Sequence, residues 1–185
     1  MINYRILIQA LDYYQSMGFT HKEVDWLVEE SIANITKPDF VRNFYIDDKA
    51  LVGSAEQSFL QMITHNELPP GQYVALTPCF RDDVEDLTHK RYFMKVELID
   101  TLNTSEERLN EIVNICVDFF KQFTDVRIEK TGDLMYDIVD AKTGIELGSY
   151  GIRHHQSVNT WIYATGVAEP RLSTVIDLNN GVSKL

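Results

Sequence analysis

The sequence is poor in the features that would place a protein in a membrane, outside the cell or on nucleic acid. No apolar run approaches the ~20 residues that cross a bilayer, so no membrane partner is expected. The opening Met1-Ile2-Asn3-Tyr4-Arg5 lacks the layout of a secretory leader. Two cysteines, Cys79 and Cys116, are too few for a disulfide framework and have no zinc-ligand spacing. Both stand among apolar neighbours, the setting of buried structural thiols. The five histidines form no metal signature, and the adjacent His154 and His155 would point to opposite faces of a strand. Lysine and arginine are scarce, 17 against 28 acids, for a net charge of −11. A broad nucleic-acid footprint needs clustered cations, and those near Lys90-Arg91 and Arg153 are too few to make one. No low-complexity stretch, internal repeat or linker divides the chain. The expectation is a soluble cytoplasmic protein whose 185 residues form one domain, 1–185.

The residues present alternate between helical and strand periods. Ile6, Leu7, Leu11 and Tyr14 predict a first helix, stopped at Gly18. Thr20 to Ile35 reads as a short strand and a second amphipathic piece ended by Pro38. Phe44 to Ile46 reads as a strand, with Asp47-Asp48 as a turn. Ser54 and Gln57 look like a capping box opening a helix that carries Phe59, Leu60, Met62 and Ile63. After the Pro69-Pro70-Gly71 break come two strands, Gln72–Asp82 and Tyr92–Asp100. Thr104 and Glu107 read as a second capping box before the clearest helical stripe, Leu109, Ile112, Val113, Cys116, Phe119, Phe120 and Phe123. Strands are predicted at Val126–Lys130, Leu134–Val139, Ile145–His154 and Thr160–Ala164, with a hairpin turn at Lys142-Thr143-Gly144. A short helix is predicted at Leu172–Leu178. Sequential strands with few helices predict an α+β fold, an antiparallel β-sheet flanked by helices.

Chemistry concentrates on the central strand pair. Alternation puts Tyr92, Met94, Val96 and Leu98 on a core face and Phe93, Lys95 and Glu97 on the other. Arg81 and Asp83 are two apart and share a direction. Paired across a hairpin, the strands would present Arg81, Asp83, Phe93 and Glu97 on one surface. Arginine offers a planar fork to phosphate oxygens, and a phenyl ring offers a stacking face to a base, worth ~1–3 kcal/mol in nucleic-acid complexes.

Cys79-Phe80-Arg81-Asp82-Asp83, a loop, and His89-Lys90-Arg91-Tyr92-Phe93-Met94-Lys95-Val96-Glu97 resemble motif 2 of the class II aminoacyl-tRNA synthetases. That pattern is Phe-Arg-x-Glu, a loop, a His or Arg, three residues and a Phe. The resemblance implies that Arg81 holds the α-phosphate of ATP and the substrate carboxylate. It implies that Asp83, a shorter acid than the usual Glu, holds the adenine amino group. Phe93 would stack on adenine, and His89 would reach the outer phosphates. Glu97 is counted with these ATP-binding candidates, and the Phe93–Glu97 segment is similar to seryl-type enzymes. Leu51-Val52-Gly53-Ser54-Ala55-Glu56 resembles the seryl-, threonyl- and prolyl-type loop whose acid holds the α-amino group, which points to Glu56. As a residue in a first helical turn, Glu56 is also simply a favourable charge. Gly144 to Arg153 is similar to an aspartyl-type strand, implying Glu146 as a ligand of Mg²⁺–ATP and Ser149 and Arg153 as amino-acid-binding residues, with Asp137 as a second metal-binding acid. Carboxylates are the hard ligands Mg²⁺ takes. Glu146 and Arg153 differ by an odd number, so a bulge at Gly148 or Gly151 is expected to bring them to one face. Gly166-Val167-Ala168-Glu169-Pro170-Arg171 resembles motif 3, making Arg171 the γ-phosphate clamp. Gly18-Phe19 with Val24-Asp25-Trp26-Leu27 resembles motif 1, the dimer-forming segment, with Asp25 where the family has proline.

The resemblance runs from Gly18 to about Ile176, and no anticodon-binding domain is expected in the remainder of these 185 residues. It implies an adenylate-forming ligase using ATP and Mg²⁺, with the acyl group passing to a carrier protein, a small amine or tRNA, in a homodimer. The alternative is a non-catalytic paralogue acting as a binding or regulatory module. Arg153 suggests an acidic substrate and the Glu56 loop a seryl-like one.

Overall fold

The computed structural model describes residues 1–38 and 41–182. Helix α1 (Tyr4–Ser16) starts where the Asn3 side chain accepts from the backbone N–H groups of Arg5 and Ile6, and it buries Ile6, Leu7, Ala10 and Tyr14. Gly18, at φ 95°, takes the left-handed turn that stops it. The segment read as a strand plus amphipathic piece resolves into β1 (Thr20–His21), β2 (Leu27–Val28) and α2 (Glu30–Thr36). Strands β3 (Tyr45–Ile46) and β4 (Lys49–Leu51) flank the expected turn, with Asp47 at φ 55°. Helix α3 (Ala55–Thr64) has Ser54 as its N-cap. Gln57 closes that cap one residue earlier than a standard box, its Oε1 accepting from the Gly53 N–H at 2.8 Å.

Strands β5 (Gln72–Phe80) and β6 (Tyr92–Asp100) form a hairpin with Cys79 opposite Phe93. Helix α4 (Glu106–Phe120) follows, capped by Ser105 rather than by the expected Thr104, and Phe123 lies beyond its end. Strands β7 (Val126–Gly132), β8 (Met135–Asp140), β9 (Glu146–His155) and β10 (Asn159–Glu169) then lead into α5 (Arg171–Asn179). Seven strands make one sheet, in the order β1-β5-β6-β10-β9-β8-β7, antiparallel except for β1 beside β5. Strands β2, β4 and β3 form a separate small sheet.

The large sheet separates two cores. Met94, Val96 and Leu98 of β6 pack with residues of α1, α4 and α5 on one face. Tyr73, Ala75 and Ile99 pack with α2, α3 and the small sheet on the other. Tyr92, expected with the first set, is half-exposed, because it starts β6 at the loop end of the hairpin. Cys79 and Cys116 are both buried, and loss of hydration pushes each thiol up to about 12, which leaves them protonated and inert at neutral pH. No described helix is long and apolar enough to cross a membrane.

Two strand irregularities aim the second face at a cavity. In β9, Gly148 faces Ile138 and Glu146 faces Val139, so Leu147 is an extra residue. In β10, Thr165 faces Glu97 and Val167 faces Val96, so Gly166 is the extra one. A one-residue slip turns every following side chain to the other face. Leu147 and Val167 therefore enter the first core, while Glu146 and Ala168 join Ser149, Arg153, Tyr163 and Thr165 around the cavity. The bulge expected at Gly148 or Gly151 lies at Leu147. Strand β10 also runs to Glu169, past the Ala164 end suggested by its pattern, because pairing with β6 resumes after the bulge.

Candidate functional site

A cavity of about 420 Å³ opens on this face, lined from β5, β6, β9, β10, the start of α3, residues 36–38 and 41–43, and the first residue of α5. That size lies within the range of small-molecule sites. Strand β5 ends at Phe80, two residues short of the predicted Asp82 end, so Arg81 and Asp83 both stand beyond the strand. One further rung, Arg81 N–H to the Arg91 carbonyl at 3.0 Å, still carries Arg81 alongside β6. Its guanidinium carbon lies 5.2 Å from the centre of the Phe93 ring, a cation–π contact. Arg81 Nε donates to the Gly53 carbonyl at 3.0 Å, which fixes the fork against the α3 loop. Arg81, Asp83, His89 and Phe93 all line the cavity. His89 is steadied by Asp86, whose Oδ2 lies 2.9 Å from its Nδ1. That contact, with the backbone N–H groups of His89 and Thr88, holds the Asp86 carboxyl far below the usual range.

Glu97 lines the cavity too, but its oxygens are engaged. They accept from Ser54 Oγ at 2.7 Å, from the Ala55 N–H at 2.5 Å and from Lys95 Nζ at 2.6 Å. Burial would raise this carboxyl; Lys95, the Ser54 hydroxyl and Arg81 outweigh it and hold it below its ordinary value. Glu97 thus anchors the N-terminus of α3, and Lys95, not singled out by the sequence, is the cation beside it.

The first turn of α3 delivers Glu56 to the same cavity. Its Oε2 accepts from Arg153 Nη1 at 2.6 Å, and its Oε1 accepts from Trp161 Nε1 at 2.7 Å. The Arg153 guanidinium lies 3.9 Å over the Tyr163 ring. Glu56 and Arg153, two of the three amino-acid-side candidates, are therefore partners of each other. The Tyr163 hydroxyl is buried beside Ser149 without hydrogen-bond geometry to any described group. Gly151 makes this arrangement possible, since a Cβ there would come within 2.8 Å of that hydroxyl.

At the opposite end Arg171 opens α5, just after β10 ends at Glu169. Its Nη1 lies 3.1 Å from Glu146 Oε1, and its Nε reaches the Thr88 carbonyl at 3.5 Å. Asp137 stands on β8 opposite Ser149 and outside the cavity lining. Burial and then the neighbouring Glu146 charge raise its carboxyl. Two mutually repelling acids are a fit for a divalent cation, and Mg²⁺ commonly takes one or two carboxylates plus phosphate oxygens. Among the described residues no cluster of three or more His, Cys, Asp or Glu forms a protein-only metal cage.

Six lining side chains are cationic (Lys37, Arg42, Arg81, Lys95, Arg153 and Arg171) and four are carboxylates (Glu56, Asp83, Glu97 and Glu146), a local balance of +2 within a chain of net −11. Such a wall focuses anions. Sequence reasoning put Lys95 on the right face without giving it a role, and it missed Lys37, Arg42, Trp161, Tyr163 and Thr165. For the last three the signal was available as alternation along β10, which puts 161, 163 and 165 on one face. Nothing in the sequence marks Lys37 and Arg42, because the fold alone brings their segment to the cavity.

The family described as "tRNA synthetases class II core domain (F)" matches residues 5–179. Among solved structures, the pyrrolysyl tRNA synthetase PylSc of Desulfitobacterium hafniense superposes with a TM-score of 0.72 at 16% identity, covering 96% of this chain and 69% of that one. Seryl-tRNA synthetase of Pyrococcus horikoshii, solved with ATP, gives 0.68 at 20% identity over 92% of this chain and 49% of its own. Cytoplasmic serine-tRNA ligase of Naegleria fowleri, solved with AMP, gives 0.69 at 14% over 97% and 52%. The chain thus spans about half the length of those two seryl enzymes. No curated protein matches by sequence.

Proposed function

The chain belongs to the class II tRNA synthetase core-domain family, and from that premise we propose that it is a ligase-type enzyme that activates an amino acid with ATP. The observation that carries this reading is the Arg81 guanidinium over the Phe93 ring at 5.2 Å, at the wall of a locally cationic cavity. Adenine stacks on Phe93, its amino group meets Asp83, and the α-phosphate lies on the Arg81 fork. His89 and Arg171 take the outer phosphates. An oxygen of the amino-acid carboxylate attacks the α-phosphorus, and the bond from that phosphorus to the bridging oxygen of the β-phosphate breaks. The products are aminoacyl-adenylate and pyrophosphate, with no proton transferred.

Positioning and charge neutralisation carry such a step, so no general base is needed. Arg81 stabilises charge that builds on the α-phosphoryl oxygens, and Arg171 holds the departing pyrophosphate. Asp137 and Glu146 are the residues that would hold Mg²⁺, which when bound neutralises phosphate charge. Glu56 receives the α-amino group and Arg153, with Ser149, faces the side chain. The acyl acceptor is a carrier protein, a small amine or tRNA, and a second copy of the chain packs at the segment around Asp25 and Trp26.

Amino-acid-dependent exchange of labelled pyrophosphate into ATP, screened over the twenty amino acids, tests this. Wild type is expected to exchange with at least one, and Arg81→Ala to lose on the order of 10²-fold or more. Undiminished exchange in Arg81→Ala would refute the assigned role. A second reading has its own support, because Glu56 and Arg153 are already engaged with each other. In a non-catalytic binding module ATP binds but no amino acid supports exchange.

A further inference from the structure

The two bulges that turn Glu146 and Ala168 toward the cavity sit side by side, on the neighbouring strands β9 and β10. An extra residue in a strand normally leaves carbonyls without ladder partners. At the β10 bulge two buried tyrosines supply them. Tyr14, from α1, donates its hydroxyl proton to the Gly166 carbonyl at 2.9 Å. Tyr150, from β9, donates to the Thr165 carbonyl at 2.8 Å. Both side chains are fully buried in the first core, and the Cys116 thiol of α4 lies against both hydroxyls.

The glycines at these bulges are the space the tyrosines fill. A Cβ on Gly166 would meet the Tyr14 ring at 2.7 Å, and a Cβ on Gly148 would meet the Tyr150 hydroxyl at 2.5 Å. On the cavity side Thr165 Oγ1 accepts from the Ser149 N–H and donates to the Ser149 carbonyl, both at 3.3 Å, so the two strands are also tied to each other beside the bulges. Immediately beyond them, Glu146 and Arg171 form the 3.1 Å pair at the phosphate end.

We propose that Tyr14 and Tyr150 are positioning residues that lock the paired bulges and so hold Glu146 and Arg171 where the outer phosphates of a nucleotide bind. They act from the far face of the sheet and touch no ligand. Without the hydroxyls the bulged segment samples other registers, and the face presented after Thr165 changes with them. The proposal rests on the nucleotide reading above, since that reading gives the Arg171 end its ligand.

Tyr14→Phe and Tyr150→Phe keep each ring and delete only the hydroxyl. By calorimetry, each is expected to weaken ATP binding roughly tenfold while AMP, which lacks the outer phosphates, binds within about twofold of wild type. Tyr13→Phe is the control: it lies on the same helix and its hydroxyl donates to the Ile115 carbonyl at 3.1 Å, away from the bulges. Equal losses for ATP and AMP, no loss for either, or the same ATP-selective loss in Tyr13→Phe would overturn the proposal. Hydrogen exchange on the wild type tests it even if the variants fail to fold. Amides of Gly148 and of 165–169 are expected to be protected before any nucleotide is added; fast exchange there, slowed only by ATP, would overturn the lock. Wild type that binds no ATP, yet is protected at these amides, would instead remove the nucleotide reading and leave the lock standing.

Discussion

Glu97 shows how one buried charge serves two purposes. It closes the N-terminus of α3, where unpaired N–H groups and the helix dipole favour an anion, and it neutralises Lys95 in the cavity wall. Its folded-state carboxyl lies below the ordinary value. The stability it contributes is therefore fully present above the unfolded value of roughly 4.3 and is lost as pH falls through the folded one. Glu97→Gln is expected to cost about 3 kcal/mol at pH 7, since it leaves Lys95 uncompensated. The gap from wild type should narrow as denaturation is repeated at pH values below 4.3. A gap that stayed constant into acid would mean the carboxylate charge is not what matters.

At the scale of elements, the bulged strands are the decisive feature, because their periodicity breaks where the chemistry begins. Gly148→Ala and Gly166→Ala should each be destabilising by roughly 1–3 kcal/mol, the usual range for overpacking. The cause is the Cβ contacts of 2.5 Å with the Tyr150 hydroxyl and 2.7 Å with the Tyr14 ring. Gly53→Ala is the comparison, since its Cβ would find ordinary contacts of 3.5 Å or more. Urea midpoints measure this, and equal midpoints for all three variants would show that the bulges can relax. Element ends were legible where local chemistry sets them: the cap at Ser54, the stop at Gly18, the turn at Gly144. The sequence misplaced the α4 cap by one residue, because Thr104 and Ser105 offer the same hydroxyl and only the path of the preceding loop selects between them.

At the scale of the whole molecule, six of the 17 cationic side chains line one cavity together with four of the 28 acids, so a chain of net −11 carries one locally cationic wall. A groove elsewhere exposes Trp26 (54%) and Ile46 (50%) beside Asp25, Leu51 and Leu76. This is the segment proposed to meet a second copy. Sedimentation velocity at micromolar concentration is expected to give a dimer, and Trp26→Glu to give a monomer by placing a charge in a buried contact. A wild-type monomer under those conditions would show that Asp25, in place of proline, leaves the face unpaired.

What the sequence by itself determined is local and periodic. It marked the helices, the strand pair, and the residue types at fixed spacing from Phe80 to Phe93 that led to the family. Those features depend on neighbours a few positions apart, where sterics and hydrogen bonding act directly. Only the tertiary structure decided that Glu97 belongs to a helix cap, that Glu56 and Arg153 pair across 97 positions, and that Trp161 reaches Glu56 across 105. Such contacts follow from strand order and from two one-residue slips, each of which reverses which side chains face the cavity. No period along the chain encodes that reversal, because it follows from how β9 pairs with β8 and β10 with β6, and on β10 the carbonyls at the slip meet Tyr14 and Tyr150 on the opposite side of the sheet.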